Sequence, residues 1–97
     1  MTNTIRVIAR IKAQPEKFED IKAVLLEIIE PTRQENGCIK YELLQNQSDP
    51  TEFTFVEEWS SHDALDAHLA SAHIQTAAAK LQDLVANVDI QRYSLLA

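Results

Sequence analysis

Apolar residues in this chain recur at every second position, then along a helical stripe, then at every second position again, and the cycle runs twice. Ile5, Val7, Ala9 and Ile11 share one face of a strand from Thr4 to Ala13, with Arg6, Arg10, Lys12 and Ile8 on the other. Gln14-Pro15-Glu16 opens a helix. Pro15 suits a first turn, where its missing N–H costs nothing, and Glu16, Glu19 and Asp20 favour the positive end of the helix dipole. Phe18, Ile21, Leu25, Ile28, Ile29 and Thr32 form its apolar stripe. Pro31 predicts a kink or break near Glu30, and Asn36-Gly37 ends the helix, with Gly37 free to turn left-handed.

Cys38 to Gln47 reads as a second strand, with Ile39, Tyr41 and Leu43 on one face and Lys40, Glu42 and Leu44 on the other. Asn46 to Thr51 is turn chemistry, and Glu52 to Trp59 is a third strand rich in aromatic and β-branched residues, so the two make a hairpin. Ser60, with Asp63 three residues on, predicts the cap of a short helix to about Leu69. Ser71 caps another running to about Val85. Asn87 to Leu95 is a fourth strand, Val88 and Ile90 on one face, Tyr93 and Leu95 on the other. The order is that of an α+β, ferredoxin-like βαββαβ domain: a four-stranded antiparallel sheet with helices on one face.

With 97 residues the chain holds one domain, 1–97. Each strand offers apolar residues to both faces of the sheet, and leaving the helix-free face wet forfeits burial worth roughly 25 cal/mol per Å². The remedy is a second copy, sheet against sheet, so a two-fold homodimer is expected. The cavity between helices and sheet, or between the two sheets, is then the natural ligand site.

A net charge of −6 repels phosphate backbones, so nucleic acid is not an expected partner. The lone Cys38 forms no internal disulfide and no thiolate metal cage, and no His or Lys adjoins it to activate it. Met1-Thr2-Asn3-Thr4 runs straight into a strand pattern without a leader's apolar core, and no apolar run spans a membrane. A cytoplasmic protein is expected.

The chemistry concentrates between Glu57 and His73, which hold all three histidines and the only tryptophan. His68 and His73 lie five apart, about 140° apart on an unbroken helix, too far for one metal. A break near Ser71 lets the two imidazoles converge on one pocket as proton movers; otherwise they are half-buried structural groups. Glu57 shares a strand face with Phe53, Phe55 and Trp59. Such a carboxylate is either an acid or base with a raised pKa or an ion pair, with Arg10 or Arg92. Trp59 and Tyr41 serve as core or as walls for a planar ligand. His62 falls in a first helical turn and is exposed. Gly37 is the only glycine, so no phosphate-cradling loop exists.

Glu35-x-Gly37-Cys38 with Tyr41, then Glu57-Glu58-Trp59, then Ala64-Leu65-x-x-His68 and His73, resemble in order and spacing the antibiotic biosynthesis monooxygenase family of dimeric α/β barrels. The likeness covers nearly the whole chain. It implies a ferredoxin-like homodimer with its sheets face to face. Some members oxidise quinols and polycyclic aromatics with O₂ and no cofactor; others degrade haem, and one branch isomerises a phosphorylated sugar signal. The histidine pair is similar to the quinol-monooxygenase and isomerase branches. The Asn, Trp and His of the haem-degrading branch fall on Ala9, His68 and Ala78, so haem degradation is disfavoured.

The resemblance thus implies a cofactor-independent monooxygenase acting on an aromatic small molecule with O₂. His68 is the expected base, and His73 or Glu57 orients the proton path. Trp59, Tyr41 and Phe55 shape the slot, and Arg10 is a further substrate contact. Two alternatives stand beside it. One is an isomerase of a phosphorylated hydroxy-ketone sugar, gripped by Arg6, Arg10 or Arg92. The other is a non-catalytic binding or structural dimer.

Overall fold

A computed structural model describes residues 4–97; the reading of Met1 to Asn3 as free of a leader lies outside the described residues. Strands β1 (Ile5–Ala13), β2 (Cys38–Gln45), β3 (Glu52–Trp59) and β4 (Val85–Tyr93) form one antiparallel sheet in the order β2-β3-β1-β4. A 3₁₀ turn (Pro15–Lys17), α1 (Phe18–Glu27) and α2 (Ile29–Arg33) join β1 to β2, and α3 (His62–Leu69) and α4 (Ala72–Leu81) join β3 to β4. This is the expected ferredoxin-like order.

Period two sets which side chains face the helices. Val7, Ala9, Ile11 and Ala13 from β1 and Phe53, Phe55, Glu57 and Trp59 from β3 are all buried there. They meet Ile21, Leu25 and Ile28 from the first helical region, Leu65 from α3 and Ala77 from α4. Each large side chain so buried contributes about 1.5–3 kcal/mol.

Pro31 breaks the first helix as expected, at Ile28, two residues before Glu30. A proline ring collides with the carbonyl four residues back, here Glu27, which is where α1 stops. The resumed turn, α2, buries Thr32 completely. Gly37 follows with φ +89°, and a Cβ there would lie 2.6 Å from both the Ala64 Cβ and the Ser60 Oγ. The Ser60 N–H donates to the Gly37 carbonyl over 2.8 Å. The turn carrying Glu35 is thereby pinned against the start of α3.

Four local expectations are corrected. Ser61, not Ser60, caps α3, its Oγ accepting from the Ala64 N–H at 3.1 Å; Ser60 is held instead by its backbone bond to Gly37. Residue 39 is the extra residue of a bulge, since Cys38 pairs with Trp59 and Lys40 with Glu58. Ile39 therefore leaves the Tyr41 face and is exposed, and Cys38 takes its place. α4 ends at Leu81, and Val85 already pairs with Ala13 in the sheet, so β4 starts before Asn87. β2 ends at Gln45 and β4 at Tyr93, leaving Leu95 beyond the strand.

Apart from the bulged Ile39, the helix-free face carries one apolar residue per strand, Ile8, Leu44, Val56 and Tyr93, among Arg6, Arg10, Lys12, Lys40, Glu42, Glu58 and Asp89. It is a mixed face with an Ile8–Val56 pair at its centre. On the helix side, Val88 and Ile90 of β4 are about half exposed (48% and 47%), because the helical layer stops short of that edge. No helix among the described residues is long and apolar enough to cross a membrane.

Candidate active site

The chain between α3 and α4 breaks at Ala70-Ser71. The Ser71 hydroxyl donates to the His68 carbonyl over 2.6 Å and its N–H to the same oxygen over 3.0 Å, capping α3 and redirecting α4. The break removes the angular separation of a continuous helix and brings His73 back beside His68, ring centres 6.2 Å apart.

Both imidazoles converge on one carboxylate oxygen. His68 Nδ1 lies 2.7 Å and His73 Nε2 2.8 Å from Oε2 of Glu35. An ionised carboxylate only accepts, so each imidazole presents an N–H to it: Nδ1–H on His68 and Nε2–H on His73. Thr32 Oγ1 at 3.2 Å and Ser71 Oγ at 3.4 Å complete the surroundings of His73 Nε2. His68 is wedged between aromatics, its ring 4.6 Å from Trp59 and 5.5 Å from Tyr41, nearly edge-on to the latter. Its Nε2 makes no hydrogen bond among the described residues, and the residue borders a cavity.

That cavity, about 230 Å³, lies between helices and sheet. Phe55, Leu25, Ile28, Leu65, Ile74 and Val88 supply its apolar walls. Its polar groups are Glu57, His68 and Tyr41 on one side and Gln82 on another. Tyr41 and Phe55 stack at 4.8 Å, 27° from parallel, forming a flat wall.

Burial sets the protonation states. It pushes the His68 pKa below the ordinary imidazole value, against the hydrogen bond and charge of Glu35, which favour the cation. Burial pushes Glu57 up to about 7; the Trp59 N–H, donating to Oε1 at 2.8 Å, opposes this, and the charge of Glu35 adds to it. Burial, with the charge of Glu57, holds the Tyr41 phenol well above its usual range. Burial and two nearby carboxylates raise the Cys38 thiol, consistent with an inert cysteine.

The structure places His68, Glu57, Tyr41 and Phe55 in the cavity lining and joins His73 to His68 through Glu35 from the neighbouring cleft, while Trp59 and Arg10 lie off the lining. Trp59 is fully buried behind the wall, where it orients Glu57 and packs on His68. Arg10 pairs across the sheet with Thr54 and Asp89 on the helix-free face, so period two turns it away from the cavity. The ion pair expected for Glu57 is likewise absent among the described residues. Arg92 reaches α3 instead, contacting Asp66 at 2.7 Å and His62 at 2.9 Å, and Trp59 supplies the partner of Glu57.

Sequence reasoning missed Glu35 as a site residue, together with Thr32 and Ser71. The available signal was the Glu35-x-Gly37 pattern: a carboxylate just before a left-handed glycine is rigidly placed. The ligating atoms of Glu35, His68 and His73 lie within 4.8 Å of one another. Two imidazoles and a carboxylate are a donor set that divalent transition metals accept, so the spacing argument against a shared ion does not survive the helix break.

A ferredoxin-like sheet with an apolar cavity ending in imidazole and carboxyl groups defines an α+β domain with a candidate small-molecule site. The chain belongs to the antibiotic biosynthesis monooxygenase family, whose model matches residues 4–80. A crystal structure of PA3566 from Pseudomonas aeruginosa superposes with a TM-score of 0.95 at 31% identity, covering 100% of this chain and 98% of that one. The structure of Rv0793 from Mycobacterium tuberculosis gives 0.91 at 31% identity, covering 98% and 97%. In sequence, Rv0793, which carries a provisional monooxygenase name, is 35% identical over 88% of this chain and 83% of its own. An uncharacterized Synechocystis protein, sll1783, is 34% identical over 94% of this chain, which spans 63% of that protein's length.

Proposed function

We propose that the protein is a cytoplasmic, homodimeric, cofactor-independent monooxygenase that oxidises a quinol or other phenolic aromatic with O₂. The observation that carries this reading is the His68–Glu35 bond of 2.7 Å beside an otherwise apolar, flat-walled cavity. A carboxylate behind Nδ1 leaves Nε2 with a free lone pair and stabilises the imidazolium that forms when it takes a proton.

His68 Nε2 removes the phenolic proton, and the apolar cavity walls leave the anion electron-rich. The anion reduces O₂ and is trapped as a ring hydroperoxide. One oxygen atom then stays on the ring carbon; the other leaves as water with the two hydrogens the ring system loses. Glu57, with a pKa of about 7, is half-protonated at neutral pH and returns a proton to the departing oxygen. Tyr41 and Phe55 grip the ring, and Trp59 holds Glu57 and His68 from behind.

No Lys or Arg lines the cavity among the described residues, which weighs against a phosphorylated sugar. Oxygen uptake with a panel of dihydroxynaphthalenes and anthrones tests the reading. Wild type is expected to consume O₂ with product bearing one added oxygen, in the presence of EDTA, and His68→Ala is expected to lose about 100-fold or more in rate. Full activity in His68→Ala removes the base. Binding without uptake marks a ligand-binding dimer, and tighter binding of a phosphorylated sugar than of its dephosphorylated form marks the isomerase.

A further inference from the structure

The cavity has an end that the proposed oxidation does not use. Its floor is the helix side of the sheet, and the strand register sets one row of that floor. Phe55 of β3 pairs with Ala9 of β1, and Ala9 pairs with Ile90 of β4. All three line the cavity. With neighbouring strands roughly 5 Å apart, the row runs from the flat wall across two strand spacings to the β4 edge of the sheet. Its middle residue is an alanine, and Ala77 and Ala78 of α4 line the same cavity from the helical layer. Side chains this small leave a passage between sheet and helix. Beyond Ala9 the passage meets Val88 and Ile90, two residues apart on one face of β4 and both half exposed. The apolar lining therefore continues past the helical layer to solvent. The polar lining does not follow it. Glu57, His68 and Tyr41 sit at the β2–β3 end, and Gln82, where α4 stops, is the one other polar lining residue among those described.

We infer that the phenolic substrate carries an unbranched alkyl chain on the ring edge away from its hydroxyl, and that this chain crosses Ala9 and leaves over Val88 and Ile90. The inference rests on the reading of His68 as the group that receives the hydroxyl. A ring stacked on Phe55 with its hydroxyl at His68 turns its opposite edge towards Ala9. A bare ring ends there and leaves Val88 and Ile90 wet. An alkyl chain covers them and removes apolar surface from water on both partners. A polar chain of the same length finds no partner along the row and loses its own hydration. The three polar groups thus recognise the head of the ligand, and the β4 edge recognises its tail.

Calorimetric titration of the full chain under nitrogen with 4-methyl-, 4-butyl- and 4-hexyl-1-naphthol tests this. In wild type the affinity is expected to rise about two- to fourfold per methylene from methyl to butyl, as expected for burial of each CH₂. The gain is expected to level off once the chain passes Ile90. Ile90→Asn, a change at a half-exposed position on an edge strand, is expected to flatten the series. Equal affinity for the three naphthols in wild type overturns the inference and means that the β4 edge is covered by something else, a second copy included. An undiminished gain per methylene in Ile90→Asn also overturns it. Oxygen uptake is measured apart from binding. Uptake with a flat series keeps the oxidation and strikes the chain; a rising series without uptake keeps the chain and strikes the oxidation. Absence of binding by all three naphthols overturns both.

Discussion

His68 donates its Nδ1 proton to Glu35 across 2.7 Å, joining the last turn of α3 to the turn that follows α2, 33 residues earlier. The bond exists because Pro31 stops the first helix early and Gly37 then pins the intervening turn against α3. It fixes the imidazole tautomer, and most of the proposed chemistry follows from it.

Glu35→Ala is expected to lower kcat on an oxidised quinol by about 100-fold or more, with a smaller change in KM. It also leaves the buried Nδ1–H of His68 unpaired, a loss of about 1–3 kcal/mol in stability. Glu35→Gln retains an acceptor and is expected to recover most of the stability but little of the rate. Steady-state kinetics with urea unfolding of both variants separates the two effects. Equal kcat in all three proteins contradicts the assignment.

Gly37→Ala is expected to destabilise the fold by about 2–5 kcal/mol, combining a left-handed φ with a Cβ driven into Ala64 and Ser60. The same strain displaces Glu35, so the quinol rate falls with the melting temperature. A melting temperature within a degree of wild type removes the argument for the pinned turn.

Glu57 carries a testable pH signature. Its carboxyl rises from 4.5 to about 7 on folding. Between those values the folded protein retains a proton that the unfolded chain has released, so stability is full below pH 4.5 and falls as pH rises towards 7, by about 3 kcal/mol in total. Glu57→Gln keeps an acceptor for the Trp59 N–H and abolishes that slope, so it is expected to be the more stable protein at pH 8. Urea midpoints at pH 5 and pH 8 measure this. In kcat/KM, Glu57→Gln is expected to lose an alkaline limb near pH 7.

The helix-free face is tested by charge. Ile8 and Val56 are direct cross-strand partners at its centre. Wild type is expected to sediment at twice 11.0 kDa. Val56→Lys is expected to give the single-chain mass while keeping the far-ultraviolet signal of the fold. A wild-type protein already monomeric at micromolar concentration contradicts the dimer.

Much of the fold was legible because period two and the helical stripe are properties of local sequence. Alternation along β3 located Phe53, Phe55, Glu57 and Trp59 on one face, and that is where they are. The one-residue bulge at Ile39 was not legible, since it depends on pairing with β3 rather than on β2 alone. The site divided in the same way. Convergence of His68 and His73 could be stated only as conditional on a break near Ser71, and the break is there. Glu35 escaped because its role comes from a tertiary contact across 33 residues. Charge alone suggests Arg10 as a ligand contact, whereas its parity with Arg6 and Lys12 puts it on the face away from the cavity.

The most direct test of the central claim is an anaerobic optical titration of a dihydroxynaphthalene with wild type and His68→Ala at pH 6.5, where the free phenol is neutral. Wild type is expected to show the red-shifted naphtholate band as the ligand binds, and His68→Ala to bind the ligand in its neutral form. An anion band of equal strength in both proteins, or quinol oxidation by a wild-type protein that never forms the anion, contradicts His68 as the base.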